Sequence, residues 1–342
     1  MAPPTSESVR TEVRSWLEEA WDPGLALIEW RERLADSGWG CPTWPTRWYG
    51  RDLPPALAPV VDEEMRRVRA VGPAAGVGMA LAAPTILEHG SDDLKGRHLR
   101  PTITGGVTWC QLFSEPGAGS DLAGLTTRAE ADGDEWVVTG QKVWNTGAHR
   151  ADYGLLVART NWDVPKHRGI TYFVLDMRQP GVEVRPLRQA NGHASFNEVF
   201  LTEARVAAGD VVGEVGDGWK VALATLAHER RLALFGRQRP LAADAGRAVR
   251  EAAAEAADAS EPHKWYPQRA GRVDMVPERA HATGADADPV VRQEVAALMA
   301  MNRAAGWTAQ RAQAARQLGR PPGAEGSIGK LSSSNIARAA AH

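Results

Sequence analysis

The 342-residue chain carries 40 basic and 42 acidic residues, which gives a formal net charge of −2 at pH 7. Its length allows one large domain or two to three smaller ones, and 43% hydrophobic with 24% charged residues is typical of a globular protein. The near-neutral charge gives no reason to expect a nucleic acid or an anionic membrane as a partner.

Cysteine and histidine usage indicates the compartment. Cys41 and Cys110 form no C-x-x-C pattern, and the nine histidines show no metal-ligand spacing, so neither a disulfide framework nor a metal site is predicted. No apolar run reaches membrane-spanning length, and residues 1–21 lack the apolar segment of a signal peptide. We therefore expect a cytoplasmic protein without a membrane partner.

Residues 1–107 show the periodicity of helices. Val9, Val13 and Leu17 recur at four-residue steps, as on one buried helical face. Ser91 precedes two aspartates and is a typical N-cap. Three further helices are predicted, at residues 55–71, 75–89 and 92–99.

From residue 108 the pattern changes to short segments rich in β-branched and aromatic residues. Asp132-Gly133-Asp134 is typical of a hairpin turn. Strands separated by turns, with no helices between them, predict an antiparallel sandwich or barrel. The predicted strands are 126–131, 135–139, 142–145, 153–158, 169–175, 182–186 and 198–202.

Helical periodicity returns after residue 216. Helices are predicted at 243–257 and 289–317, and the Pro-, Gly- and charge-rich residues 261–288 predict an irregular insertion between them. The predicted fold class is therefore α+β and multidomain. It has an N-terminal all-α domain (1–107), a central antiparallel β-sandwich or barrel (108–215) and a C-terminal α-helical bundle (216–342).

The candidate site begins with the stretch Gln-Leu-Phe-Ser-Glu-Pro-Gly-Ala-Gly-Ser-Asp at residues 111–121. Gly117 and Gly119 lack a Cβ, so a ligand can approach the backbone closely. Main-chain N–H groups and the hydroxyls of Ser114 and Ser120 are available to a polar ligand. The spacing matches neither the dinucleotide-binding fingerprint nor a Walker loop, so an ordinary tight turn is the alternative.

A second stretch, Gly-Gln-Lys-Val-Trp-Asn-Thr-Gly, follows at residues 140–147. Together, Glu-Pro-Gly-Ala-Gly-Ser-Asp and Gly-Gln-Lys-x-Trp-x-Thr closely resemble the flavin-binding signature of the acyl-CoA dehydrogenase family in order and separation. The resemblance extends over residues 9–341. It implies FAD as cofactor, an acyl-CoA substrate, an electron-transfer flavoprotein as electron acceptor, and a homo- or hetero-oligomer, either dimer or tetramer.

The resemblance also implies roles for single residues. The backbone of Phe113 and Ser114 would face the pyrimidine edge of the flavin, and Ser120 would approach the cofactor phosphate or the acyl-CoA. Trp144 would lie against the ring system, unless it is a core aromatic, and Thr146 would donate its hydroxyl to flavin N5. The full set of implied flavin contacts is Gln111, Phe113, Ser114, Gly119, Ser120, Trp144, Asn145 and Thr146.

The reaction that the resemblance implies is α,β-dehydrogenation of an acyl-CoA to the trans-2-enoyl-CoA. A carboxylate removes the α-proton while the β-hydride passes to flavin N5. Most members carry this base near the C-terminus, beside a Gly-Gly loop that this sequence does not contain. The chain is therefore expected to lack the usual C-terminal segment of the family.

One substitute for the missing base is visible in the sequence. The isovaleryl- and long-chain branches carry their base in a Glu-Arg pair on the helix after the β domain, which implies Glu229 as base and Arg230 as a substrate contact. A surface glutamate is the alternative. Thr160 matches a hydroxyl near the CoA moiety, but an ordinary strand-end threonine fits equally well.

Three functions remain open at this level. The first is a catalytic acyl-CoA dehydrogenase, with either Glu229 or a residue of the expected missing C-terminal segment as base. The second is a non-catalytic subunit of a heteromeric acyl-CoA dehydrogenase. The third is a flavin oxidase, or another flavin enzyme of the same fold, that acts on a non-CoA substrate.

Overall fold

The computed structural model describes residues 3–190, 192, 194–232, 246–260, 273–318, 320 and 323–341. The described residues fall into two compact units, one made of those within 1–229 and 239–259 and the other of those within 230–238 and 260–342. No helix among the described residues is both long enough and apolar enough to cross a membrane. The boundaries predicted for three domains stay a prediction.

The first unit begins with helices, as predicted. Val9, Val13 and Leu17 are buried together in one apolar cluster. Ser91 caps its helix by accepting a hydrogen bond from the Leu94 amide, and the segment before Ala83 is a π-helical turn. The helices are α1 (Ser6–Ala20), α2 (Leu27–Ser37), α3 (Ala58–Arg67), α4 (Ala83–His89) and α5 (Asp92–Thr104).

A seven-stranded sheet follows in the same unit. The strands are β1 (Trp109–Leu112), β2 (Arg128–Asp132), β3 (Glu135–Lys142), β4 (Tyr153–Arg159), β5 (Ile170–Asp176), β6 (Val182–Leu187) and β7 (Phe196–Ala207). Their order in the sheet is β1-β4-β2-β3-β7-β6, and β5 pairs with β4 outside this order.

The predicted α+β class with a central β domain is confirmed, and the structure shows that the sheet is mixed. The pairs β2–β3, β3–β7, β4–β5 and β6–β7 are antiparallel, whereas β1 pairs in parallel with β4. A parallel pair needs a long connection, and the loop and hairpin between β1 and β4 supply it. Short-range sequence patterns do not reveal such a pairing.

The hairpin prediction is confirmed, and one predicted strand is wrong. Asp132 pairs with Glu135 across a two-residue turn in which Gly133 has a φ of 66°. The strand predicted at 142–145 does not form. Instead β3 continues to Lys142, and the left-handed φ of 63° at Trp144 ends the extended run.

Two helices complete the first unit, α6 (Gly218–Leu232) and α7 (Arg247–Ser260). The first residue of α6, Gly218, packs directly on β5, because a Cβ there would lie 2.5 Å from the carbonyl carbon of Thr171. On α7, Glu251 accepts a hydrogen bond of 2.7 Å from the Leu27 amide. That amide begins α2, which has no side-chain cap of its own. The predicted helix at 243–257 is confirmed from residue 247, and residues 243–245 lie outside the described residues.

The second unit contains α8 (Val276–Ala282), α9 (Pro289–Gln317) and α10 (Glu325–Ala341). The helix predicted at 289–317 is confirmed. The irregular insertion predicted at 261–288 is wrong for its described part, because α8 lies within it. Pro277 lies in the first turn of α8, where its missing N–H and fixed φ suit a helix start. Residues 261–272 lie outside the described residues.

Candidate functional site

The two sequence motifs lie side by side. The first begins in the last residues of β1 and the second in the last residues of β3, and hydrogen bonds join them directly. The Val143 amide donates to the Ser114 carbonyl at 2.9 Å, and the Asn145 side-chain amide donates to the Gln111 carbonyl at 2.6 Å. The structure therefore brings together all of the predicted flavin-contacting segments.

A buried ion pair holds the base of the first loop. Lys142 is fully buried, and its ammonium donates to the Phe113 carbonyl at 3.1 Å and to Glu115 Oε1 at 2.8 Å. The carboxylate of Glu115 also accepts from the Thr126 amide, the Thr126 hydroxyl and the Thr127 amide, at 2.7 to 2.9 Å. Because each oxygen has donors, the buried charge is compensated.

The electrostatics of this pair follow from its surroundings. Burial acts to raise the pKa of Glu115, but the Lys142 ammonium and the donated hydrogen bonds prevail and lower it to about 2. Burial lowers the pKa of Lys142 to about 8, against the opposing effect of Glu115. We gave Glu115 and Lys142 no role from the sequence. The available signal was that each is the only long charged residue within its motif.

At Gly117 and Gly119 the backbone of the first loop is not covered by side chains. The turn is closed by reciprocal bonds between Glu115 and Ala118, at 2.9 and 3.1 Å. Neither Gly117 nor Gly119 has a left-handed φ, and a Cβ at either would meet nothing within 4 Å. The fold of the described chain therefore does not require glycine here, whereas a ligand lying against this backbone would.

Trp144 is strained and exposed. Its φ of 63° lies in the left-handed region, which is unusual for a bulky residue and costs on the order of 1–3 kcal/mol. The side chain is 57% exposed and contacts Phe196 edge-to-face at 5.9 Å. The alternative of a core aromatic does not fit an exposed indole. Strain at an exposed aromatic indicates a binding surface.

The hydroxyls beside Trp144 are free to bind a ligand. Ser120 is exposed and Thr146 is half-buried, and neither hydroxyl has a hydrogen-bond partner in the described part of the chain. Ser114 is half-buried, with its carbonyl bound to the second motif. Gln111 is also half-buried. These groups fit the roles predicted for polar contacts to a flat ligand.

Asn145 and Phe113 instead lie behind the exposed surface. Asn145 is 2% exposed, and its backbone exchanges hydrogen bonds with Asn197. The buried Phe113 ring packs edge-to-face on Tyr172 at 5.8 Å. Each residue supports the site through its side chain, and the backbone of Phe113 remains available for the predicted contact.

Of the predicted substrate and catalytic residues outside the motifs, Thr160 directly follows β4, and Glu229 and Arg230 are in α6. The hydroxyl of Thr160 lies 2.7 Å from that of Thr171, so it is bonded within the protein. Glu229 lies on α6, is half-buried, and has no hydrogen bond or ion pair to any described residue. Thr225, one turn earlier on the same face, is fully buried, so Glu229 is not on the solvent face of the helix. Arg230 is in the same helix, but its side chain lies outside the described residues.

Comparison with known protein families identifies the family to which the chain belongs. The acyl-CoA dehydrogenase N-terminal domain profile matches residues 3–106, and the acyl-CoA dehydrogenase middle domain profile matches residues 110–204. The chain therefore belongs to the acyl-CoA dehydrogenase family, which confirms the resemblance found in the sequence.

Individual relatives carry the same name. Acyl-CoA dehydrogenase FadE34 of Mycobacterium tuberculosis is 52% identical over 198 residues, which are 58% of this chain and 27% of that protein. Acyl-CoA dehydrogenase IpdE1 of the same organism is 39% identical over 249 residues, 68% of this chain and 65% of that protein. The chain thus spans about a quarter of the length of the first relative and just under two thirds of the second.

Solved structures show the same fold. The Tcur3481-Tcur3483 steroid ACAD has a TM-score of 0.65 at 25% identity, covering 99% of this chain and 83% of its own. The ChsE4-ChsE5 complex from Mycobacterium tuberculosis has a TM-score of 0.62 at 25% identity, covering 98% of this chain and 82% of its own.

Proposed function

We propose that the chain is an FAD-dependent acyl-CoA dehydrogenase that oxidises the α,β bond of an acyl-CoA to give the trans-2-enoyl-CoA. The observation that carries this proposal is the glycine loop (residues 113–121), whose backbone is not covered by side chains at its glycines. It is hydrogen-bonded directly to the segment that exposes Trp144. Membership of a family of flavin-dependent acyl-CoA dehydrogenases supports it.

The exposed groups of the site fit a flavin. The backbone at Gly117 and Gly119 and the hydroxyl of Ser120 would hold polar edges of the cofactor. The indole of Trp144 offers a π-face for a flat ring, and Thr146 offers a free hydroxyl. When bound, FAD supplies the acceptor for the hydride that leaves the substrate β-carbon.

Glu229 is the proposed base. Its half-buried carboxylate has no partner among the described residues, so its oxygens are available to take the α-proton of a bound thioester. The α6 residues Val221, Ala222 and Leu226 pack into the apolar core, which excludes water from this side of the helix. We further propose that the electrons pass to an electron-transfer flavoprotein and that Arg230 and Thr160 lie near the substrate.

Anaerobic titration of the FAD-loaded protein with an acyl-CoA tests the activity, and Glu229→Gln tests the base. The wild type should lose its flavin absorbance, and Glu229→Gln should retain FAD but react at least about 100-fold more slowly. Glu214→Gln, which changes an exposed glutamate just before α6, is the matched control and should react normally. A wild type that never bleaches would refute the activity, and normal bleaching by Glu229→Gln would refute the base.

A non-catalytic subunit of a heteromeric acyl-CoA dehydrogenase is the second candidate. The two solved structures with this fold described above are both named as pairs of chains, and this chain aligns over nearly its whole length with each. Co-expression with a second acyl-CoA dehydrogenase chain tests this role. If FAD and activity appear only in the co-purified complex and survive Glu229→Gln, the non-catalytic role is supported and the first proposal fails.

A further inference from the structure

Three buried hydroxyls form a polar cluster inside an apolar core. They belong to Thr85 on α4, Tyr172 on β5 and Thr225 on α6, and all three side chains are fully buried. The Thr225 Oγ1 atom lies 3.0 Å from Thr85 Oγ1 and 3.1 Å from the Tyr172 hydroxyl. It also donates to the Val221 carbonyl at 3.0 Å. The cluster therefore joins three separate elements at one oxygen atom.

One assignment of the hydrogen atoms satisfies all three contacts of Thr225. The Val221 carbonyl can only accept, so Thr225 donates to it, and Thr225 Oγ1 then accepts from both Thr85 and Tyr172. All three hydroxyl hydrogens are used in this arrangement. Valine at position 225 would then leave the two other hydroxyls without their acceptor in a dry environment, which is unfavourable.

The start of α6 is attached to the same strand. The Gly216 amide donates to the Thr171 hydroxyl at 3.0 Å, and Thr171 is in turn bonded to Thr160. Gly218 has no room for a Cβ against the backbone of Thr171. Strand β5 thus holds α6 at its first turn through Thr171 and two turns later through Tyr172.

These contacts connect the two halves of the proposed active site. The ring of Tyr172 packs edge-to-face on Phe113 of the glycine loop at 5.8 Å, and its hydroxyl bonds Thr225. Glu229 follows Thr225 by four residues and lies on the same face of α6. We infer that Tyr172, Thr225 and Thr85 are positioning residues, which fix α6 so that the Glu229 carboxylate is held at a set position relative to the glycine loop. The inference rests on the base proposed above.

Three variants separate this role from general packing. Thr225→Val and Tyr172→Phe remove one hydroxyl each with little change of volume, and Thr225→Ser keeps the hydroxyl. Thr102→Val is the matched control. Thr102 on α5 is similarly buried, and its hydroxyl accepts a hydrogen bond of 2.9 Å from the Trp109 indole. All four proteins should retain FAD.

The kinetic readout is the split between kcat and KM. Thr225→Val and Tyr172→Phe should lower kcat by about 10-fold or more with KM within about twofold, since misplacing a catalytic group affects the chemical step. Thr225→Ser and Thr102→Val should stay within about twofold of the wild type. Unchanged kcat in both hydroxyl deletions, or an equal loss in Thr102→Val, would overturn the inference.

Hydrogen exchange gives a readout that needs neither cofactor nor turnover. In the flavin-free protein, Thr225→Val should increase amide exchange in α6 up to Glu229, while Thr225→Ser and Thr102→Val should not. Unchanged exchange in α6 would contradict the inference. If the variants show this exchange pattern but the wild type never oxidises an acyl-CoA, the proposed function is refuted. The placement of α6 by these hydroxyls is then still supported.

Discussion

The ammonium of Lys142 lies 2.8 Å from the carboxylate of Glu115, and both side chains are buried where the two motifs meet. Lys142 also bonds the Phe113 carbonyl, so the pair fixes the backbone from which the glycine loop begins. Replacing either member leaves the other as an uncompensated buried charge, which makes this contact important for folding and for the shape of the site.

Acid should reveal the contribution of Glu115 to stability. Its pKa is about 2 in the folded chain, below the ordinary 4.5, so its stabilisation is present above pH 4.5 and is lost as the pH falls toward 2. The shift corresponds to about 3 kcal/mol. Denaturant unfolding of wild type and Glu115→Gln should therefore give free energies that differ at pH 7 and converge in acid. Parallel curves across this range would contradict the prediction. Glu64, whose pKa is also about 2 mainly because Arg14 bonds it, contributes equally to both proteins.

The same pair should show strong coupling in a double-mutant cycle. Glu115→Gln and Lys142→Met should each cost about 3–5 kcal/mol, and the double variant should cost clearly less than their sum. The exposed Asp121–Lys166 pair, at 2.7 Å, is the matched control, and its coupling should stay below about 1 kcal/mol. Comparable coupling energies for the two pairs, measured by urea unfolding, would show that burial does not strengthen the contact.

A methyl group at position 119 should leave the stability of the fold intact but weaken the binding of FAD. Because a Cβ there meets nothing, Gly119→Ala should leave stability unchanged or raise it by up to about 1 kcal/mol. We expect its FAD affinity to fall by about 10-fold, which is about 1.4 kcal/mol. Gly209→Ala has equally open space and lies outside the proposed site, so it should bind FAD normally. Normal FAD affinity in Gly119→Ala would show that no ligand lies against this backbone.

The strain at Trp144 predicts an order of stabilities. Both Trp144→Gly and Trp144→Ala remove the exposed indole, but only glycine adopts a φ of 63° without a Cβ penalty. Trp144→Gly should therefore be about 1 kcal/mol more stable than Trp144→Ala. Thermal or denaturant unfolding measures the difference, and a more stable alanine variant would mean that the left-handed backbone is absent in solution.

Local patterns predicted much of the fold. The four-residue spacing of Val9, Val13 and Leu17 identified a buried helix face, and Gly133 identified the hairpin. The parallel pairing of β1 with β4 was not predictable, because it depends on contacts between residues more than forty positions apart. The residues next to Trp144 in the sequence also do not predict its left-handed backbone conformation. That conformation arises where the second motif turns away from β3 to bond the first.

The candidate site was predicted as a set of residues but not as an arrangement. The motifs predicted which residues contact the ligand, and the structure distinguishes exposed Trp144 from buried Asn145. The ion pair of Glu115 with Lys142 and the cluster around Thr225 escaped prediction. Each joins residues that are distant in sequence and that have no individual signature.

Binding of a flavin beside Trp144 is tested most directly by the affinity of the flavin-free protein for FAD. Calorimetry measures this affinity for wild type, Trp144→Ala and Trp162→Ala. Trp162 is 59% exposed, close to the 57% of Trp144, but it belongs to neither motif and contacts the Arg159 guanidinium. If a flavin binds beside Trp144, wild type and Trp162→Ala should bind FAD equally, and Trp144→Ala should bind it at least about 10-fold more weakly, a loss of about 1.4 kcal/mol. Equal affinity in all three proteins would contradict a flavin site beside Trp144.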